Sequence, residues 1–163
     1  MEQRVARIKQ IEPYFKIADE EALKSPCTRR RYGAVIVDIG PYIYHTPAHN
    51  ARVATCCNNT CIRDTMNFEN GGNVEYGAEV HAETAALIDH GRREGTDRVM
   101  VLVGYKGAHE LLSRDVWPCR VCALNLRYAG FKYIYTRDNK GEIVPTSIAE
   151  VIEYREAEWE PDN

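Results

Sequence analysis

The chain has 163 residues, of which 44% are hydrophobic and 28% charged, and this ordinary globular composition excludes a disordered, collagen-like or disulfide-rich miniprotein. Its 21 basic and 24 acidic residues give a formal net charge of −3, with an acidic tail from about residue 156, which disfavours duplex nucleic acid as a partner. The length of the chain predicts one domain over residues 1–163. Nowhere do about 18 apolar residues run together, so we expect a cytoplasmic protein with no membrane partner.

The first part of the chain predicts a helix followed by a pair of strands. Pro13 can begin a helix that runs over about Pro13–Leu23, and Ser25-Pro26 ends it. The short β-branched run Ala34–Val37 and the segment Tyr42–Tyr44 flank a turn at Asp38–Pro41, which is typical of an antiparallel hairpin.

The second half of the chain alternates helices and strands. The pattern predicts a helix over about Ala82–Arg93 that Gly91 or Gly95 closes, a strand Val99–Val103, a helix Cys119–Tyr128, a strand Tyr133–Tyr135 and a closing helix with Ile148, Val151 and Ile152. Strands that alternate with helices pair in parallel through right-handed crossovers. Together with the hairpin they predict an α/β fold with a mixed sheet covered by helices.

Two long segments, Ala51–Gly77 and Gly104–Pro118, show no periodicity. Loops of this length in a small domain are usually functional or held by something specific. The first of them is rich in Asn, Gly and Cys, so we expect a specific contact that keeps it ordered.

Two short motifs, His81-Ala82-Glu83 and Pro118-Cys119-Arg120-Val121-Cys122, carry the chemistry of the sequence. Each begins a predicted helix after a loop, so both helix ends are expected to face one pocket beside the sheet. Cys119 and Cys122 are three residues apart on a first turn, where the helix dipole favours thiolates. With His81 they provide three zinc ligands, which leaves a fourth tetrahedral position for water, as in catalytic sites.

Glu83 lies two residues beyond the His81 ligand. From there its carboxylate can accept a proton from the hydrolytic water and return it to a leaving nitrogen. Alone, the Cys-x-x-Cys spacing would equally suit a redox pair or a structural zinc site. His-x-Glu followed by Pro-Cys-x-x-Cys is the signature of zinc deaminases that act on nucleobases.

These motifs, with Ser25–Arg30 and Gly33–Val37, resemble the cytidine deaminase-like superfamily, and most of all its deoxycytidylate (dCMP) deaminases, over about Pro13 to Thr136. The resemblance implies a three-layer α/β/α sandwich around a five-stranded mixed sheet, a catalytic Zn²⁺ and a homo-oligomer, either hexamer or tetramer. It also implies hydrolysis of a small-molecule nucleotide, dCMP or a 5-modified dCMP, to the uracil nucleotide and ammonia.

Two alternatives to this function remain open. One is a deaminase of another base, such as cytosine, guanine or a tRNA adenosine. The other is a zinc-stabilised binding module without catalysis, which would have no use for an unligated Glu83 beside the metal.

The residues expected to bind substrate are Asn50, Ala82, Tyr105 and Trp117, and of these the resemblance implies Asn50. Where dCMP deaminases have Gly-Tyr-Asn-Gly, this chain has Ala48-His49-Asn50-Ala51, so that Asn50 keeps the place of the nucleotide contact. An Asn that stabilises its own turn is the alternative. His49, Tyr105 and Trp117 are the candidates for stacking on the base.

A second, structural zinc is the remaining site that the resemblance implies. The residues to test for it are Cys27, Cys57 or its neighbour Cys56, Cys61 and Glu79. Such a site would explain how the loop Ala51–Gly77 stays ordered. Buried, unreactive thiols are the alternative.

Overall fold

The computed structural model describes residues 2–27, 29–50, 80–91, 97–106, 110–111 and 116–157. Helices and strands alternate along these ranges, in chain order α1 (Glu2–Ile11), α2 (Pro13–Leu23), β1 (Arg30–Ile39), β2 (Tyr44–His49), α3 (Ala82–His90), β3 (Asp97–Lys106), β4 (Glu110–Leu111), α4 (Arg120–Tyr128), β5 (Tyr133–Arg137), β6 (Ile143–Ser147) and α5 (Ile148–Ala157).

The strands form one mixed sheet in the order β2-β1-β3-β5-β6, with the short β4 paired to β3. β3 and β5 are parallel, whereas β1 pairs antiparallel with both β2 and β3, and β5 pairs antiparallel with β6. The predicted five-stranded mixed sheet is therefore confirmed, with β3 at its centre.

The hairpin of β1 and β2 is longer than predicted and shifted along the chain. Its second strand begins at Tyr44 rather than at Tyr42, and the Tyr42 side chain is 90% exposed in the connection. The pairing runs from Asp38 opposite Tyr44 to Gly33 opposite His49. The predicted strand Tyr42–Tyr44 was therefore wrong in its bounds, although the hairpin itself is confirmed.

Helix α3 ends at His90, three residues earlier than the predicted Arg93. Gly91 follows with φ 69°, a backbone conformation that L side chains rarely adopt and that favours glycine. Of the two predicted stop positions, Gly91 is thus the one that closes the helix.

Apolar side chains alternate along the strands and form a core on each face of the sheet. On one face Ala34, Ile36, Met100 and Leu102 pack against α3, α4 and α5. On the other face Val35, Val37, Val101 and Val103 pack against α1 and α2. These two cores make the three-layer α/β/α sandwich. Within the described ranges, every helix is too short or too polar to cross a membrane.

Candidate metal and catalytic site

The site forms where helices α3 and α4 begin, on the same face of the sheet. Each helix leads into one of the two parallel strands, α3 into β3 and α4 into β5, so both helices start at the edge where those strands end. His81 is the N-cap of α3 and Cys119 is the N-cap of α4, and both have extended backbones with φ −65°, ψ 149° and φ −63°, ψ 165°. The two helices therefore present their first side chains to a common space.

Three side chains converge in that space, as the sequence predicts. The His81 Nδ1 atom lies 3.6 Å from Cys119 Sγ and 3.4 Å from Cys122 Sγ, and the three atoms lie within 4.8 Å of one another. Tetrahedral zinc with Zn–S of about 2.3 Å and Zn–N of about 2.0 Å separates a nitrogen from a sulfur ligand by roughly 3.6 Å. The spacing of His81, Cys119 and Cys122 thus fits a zinc ion.

The two thiols share a strong electrostatic coupling. A hydrogen bond from the Cys122 thiol, supported by the neighbouring His81 and by the Cys122 backbone N–H, lowers the pKa of Cys119 to about 4 despite burial. The same hydrogen bond to Cys119, with burial and the Glu83 charge, raises the pKa of Cys122. These opposite shifts in pKa favour the thiolate at Cys119 over Cys122, and a bound cation would favour the deprotonated form of both.

Glu83 is the second residue of α3 and its side chain is buried, with the residue only 5% exposed. Burial raises the pKa of its carboxyl group, and the nearby His81 opposes this shift, as does a hydrogen bond with the Cys122 thiol. Glu83 thus lies beside the three converging ligands without being one of them. This arrangement suits a group that carries protons next to a metal.

The comparison with known families decides the identity of this site. Residues 8–137 match the family model described as the cytidine and deoxycytidylate deaminase zinc-binding region. This matched range contains His81, Cys119 and Cys122. The chain belongs to the cytidine and deoxycytidylate deaminase family. The predicted family and α/β fold are confirmed, and the three converging side chains lie within the matched zinc-binding region.

One curated protein and one solved structure are similar to this chain. The chain is 30% identical over 125 residues to the deoxycytidylate deaminase of Saccharomyces cerevisiae, a match that covers 74% of this chain and 35% of the yeast protein. The chain thus spans about a third of the length of that relative. The crystal structure of dCMP deaminase from the cyanophage S-TIM5 in apo form is 20% identical, with a TM-score of 0.56 over 90% of this chain and 92% of that chain. That likeness shows a shared fold.

The predicted substrate residues differ in where they lie relative to His81, Cys119 and Cys122. Ala82 is fully buried as the first residue of α3, directly between His81 and Glu83. Trp117 packs on the same side of the sheet, where its ring and the Tyr154 ring are edge-to-face with their centres 5.3 Å apart. These two residues therefore lie close to the ligands along the chain and on the same face.

Tyr105 lies on the opposite face of the sheet. Its side chain packs with the core under α2, and its hydroxyl donates to Asp19 Oδ1 at 2.5 Å. Burial, with the neighbouring Asp19, raises the pKa of Tyr105. Base stacking was therefore wrongly predicted for Tyr105, because the sheet separates its ring from His81. His49 likewise faces α2, with Nε2 3.9 Å from Glu21 Oε1.

Asn50 is buried at the end of β2, and its side chain pairs with the backbone of β1. Its Oδ1 atom accepts a hydrogen bond from the Tyr32 N–H at 2.9 Å, and its Nδ2 atom donates to the Arg30 carbonyl at 3.0 Å. These contacts join Asn50 to the neighbouring strand β1 and not to its own turn, so they do not test the turn-stabilising alternative. The nucleotide contact predicted for Asn50 stays a prediction.

Most of the predicted second zinc site lies outside the described residues, which is the case for Cys56, Cys57, Cys61 and Glu79. Cys27 is described and buried, and its backbone N–H donates to Ser25 Oγ at 3.3 Å. The structural zinc therefore stays a prediction.

Sequence reasoning missed the contacts that α5 makes with the start of α4. Arg155 and Tyr154, both on α5, touch the residues just before Cys119. Arg155 is 37 residues from Pro118 and belongs to an otherwise acidic segment, so no local pattern signals the contact.

Proposed function

We propose that this chain hydrolyses the exocyclic amino group of dCMP or a 5-modified dCMP, giving the corresponding uracil nucleotide and ammonia. The observation that carries this proposal is the buried Glu83 carboxyl group beside the converging His81, Cys119 and Cys122 side chains. The choice of dCMP is supported by the yeast relative, which is named a deoxycytidylate deaminase.

The residues of the chain divide the chemistry between them. His81, Cys119 and Cys122 would hold zinc, which supplies Lewis-acid activation of the hydrolytic water. Glu83 takes a proton from that water and passes it to N3 of the base. It then takes the second proton, from the hydroxyl group now bonded to C4, and gives it to the departing amino group, so that the carbonyl forms and ammonia leaves. Because Glu83 is buried, water does not compete for these proton transfers.

Backbone and aromatic groups near the ligands would orient the base. Ala82 is the first residue of α3, where backbone N–H groups have no intrahelical partner, and we propose that it donates to an acceptor on the base. Trp117 would offer its ring for stacking, and Asn50 would contact the nucleotide.

The experiment is a substrate panel scored by released ammonia. Zinc-loaded protein is incubated with dCMP, 5-methyl-dCMP, CMP, cytidine, cytosine, guanine and an adenosine RNA stem. We expect kcat/KM to be highest for dCMP or its 5-methyl derivative. Turnover of a free base or of the RNA alone would favour the deaminase of another base, and bound zinc with no turnover of any compound would favour the non-catalytic binding module.

Glu83→Gln tests the proton carrier in the same assay. This substitution should leave zinc bound and reduce kcat by about 10² to 10⁴, the usual contribution of a positioned general acid or base. Asp89→Asn on the exposed side of α3 is the matched control and should turn over at the wild-type rate. A near-normal rate for Glu83→Gln would show that another group moves the protons.

A further inference from the structure

Helix α5 contacts the segment that leads into the Cys119 ligand. The Arg155 guanidinium donates from Nη2 to the Trp117 carbonyl at 2.7 Å and from Nε to the Pro118 carbonyl at 3.0 Å. These two carbonyls belong to consecutive residues, and the next residue in the chain is Cys119. One side chain thus fixes two successive peptide groups.

These two peptide groups determine where the Cys119 sulfur lies. Cys119 is the N-cap of α4 with φ −63° and ψ 165°, so the helix holds it from one side only. On the other side Pro118 has no backbone N–H with which to anchor the segment. A planar guanidinium that donates in a fixed fork restricts both carbonyls at once.

Aromatic contacts hold Arg155 against the segment that leads into Cys119. The Trp117 ring meets the Tyr154 ring edge-on, at 5.3 Å and 79°, and the Arg155 guanidinium carbon lies 5.5 Å from the centre of the Tyr154 ring. Edge-to-face pairs and cations over rings both stabilise such an arrangement. By contrast, the ion pair between Arg120 and Glu156, at 3.6 Å, is more than half exposed, and pairs of that kind stabilise little.

We propose that Arg155 is a positioning residue for the metal site, one that holds Trp117 and Pro118 so that Cys119 Sγ meets His81 and Cys122. This role rests on the zinc site of the proposed function. Loss of the two Arg155 hydrogen bonds leaves His81 and Cys122 in place and releases Cys119. Arg155 therefore acts on zinc affinity through the backbone, without touching metal or substrate.

The experiment compares zinc affinity in four proteins: wild type, Arg155→Met, Arg155→Lys and Glu156→Gln. Zinc dissociation constants are measured by competition with a chromophoric chelator, and thermal unfolding is followed with and without zinc. Groups that orient metal ligands typically change metal affinity by about 10- to 100-fold, so we expect Arg155→Met to bind zinc at least tenfold more weakly. Arg155→Lys keeps a donor but lacks the fork, and its affinity should be intermediate.

Glu156→Gln is the matched control, because it removes the exposed ion pair one residue further along the same helix. Its zinc affinity should equal that of the wild type. In zinc-saturated protein, Arg155→Met should lower kcat/KM for dCMP, because Arg155 holds both the segment before Cys119 and Trp117, the residue proposed to stack on the base.

A purely structural role for Arg155 gives a different result. Arg155→Met would then unfold at a lower temperature with and without zinc, and its zinc affinity would match the wild type, which overturns the proposal. If Arg155→Met does not fold, Arg155→Lys decides in the same way. Failure of the proposed function is distinguishable, since the wild type itself would then not bind zinc or not release ammonia.

Discussion

At the scale of single residues, Gly33 shows how closely α2 approaches the sheet. A Cβ atom added at Gly33 would lie 2.0 Å from the Ala18 carbonyl oxygen and 2.9 Å from the Ala22 nitrogen, both of them backbone atoms of α2. No rotamer change can relieve a clash with backbone. The helix itself would have to move away from β1.

Gly33→Ala should therefore lower the free energy of unfolding by roughly 3 kcal/mol, the upper end of the usual cost of overpacking. Urea unfolding of the metal-free protein measures this change. Gly141→Ala is the control, since Gly141 has φ 80° and open space around it, and should cost only about 1 kcal/mol. Equal losses for the two variants would show that α2 shifts freely.

The residues of the site differ in how well the sequence predicts them. His81, Cys119 and Cys122 are predictable because their positions at helix starts follow from the motifs and from the alternation of helices and strands. Tyr105 was not, because the expected strand ends at Val103 and a loop residue can point anywhere. In the structure β3 continues to Lys106, and its pleat places Tyr105 on the same face as Val103, away from His81.

At the scale of elements, helix α3 is fixed at both ends by polar side chains. Its start provides His81, and its last residue, His90, joins a buried network about 13 Å away along the helix axis. In that network His90 Nε2 lies 2.7 Å from Asp38 Oδ2, and His90 Nδ1 lies 2.8 Å from Thr46 Oγ1. Arg98 Nε lies 3.2 Å from Asp38 Oδ1.

Asp38→Asn should destabilise the protein by about 3 kcal/mol, because it leaves the Arg98 charge in a buried place without its counter-charge. Zinc affinity should stay within twofold of the wild type, since the network lies at the far end of α3 from the ligands. Denaturant unfolding and chelator competition measure the two quantities.

Asp97→Asn provides the comparison for this prediction. Asp97 pairs with Arg7 at 2.7 Å, but its side chain is 59% exposed, so its loss should cost less than about 1 kcal/mol. A similar loss of stability in both aspartate variants would contradict a special role for the buried network.

The strands that the sequence did not predict lie at the margins of the sheet. β6 contains Pro145, which removes a backbone donor and argues against a strand, yet it forms an edge of the sheet, where proline is tolerated. β4 has two residues, too few for any period to show. The interior strands were predictable because β1 and β3 carry runs rich in β-branched residues and β5 combines aromatic with β-branched residues.

At the scale of the whole molecule, the three ligands join two helices that are far apart in the chain. Zinc should therefore stabilise the entire fold. At free zinc 100 times the dissociation constant, linkage gives about 2.7 kcal/mol of added stability. Calorimetry with a chelator and with added zinc measures this shift, and His81→Ala should lose most of it. A transition temperature that zinc leaves unchanged in the wild type would contradict the site.

The assembly state also belongs to this scale and stays a prediction of the family resemblance. Helices α3 and α4 expose large apolar side chains, with Ile88 72%, Val121 65% and Tyr128 97% exposed. We expect light scattering to give four or six times the chain mass of 18.6 kDa. A mass of one chain at micromolar concentration would refute the oligomer.

The separation of the ligands along the chain bears on the order in which the molecule assembles. His81 and Cys119 are 38 residues apart in sequence, and the chain between them contains β3, the middle strand of the sheet. In the folded protein the ligands converge with β3 inserted between β1 and β5, so we expect the complete metal site to form late in refolding. Cobalt(II) forms thiolate complexes that absorb visible light. Its absorbance during refolding would therefore report when the fold is complete rather than when the chain first collapses.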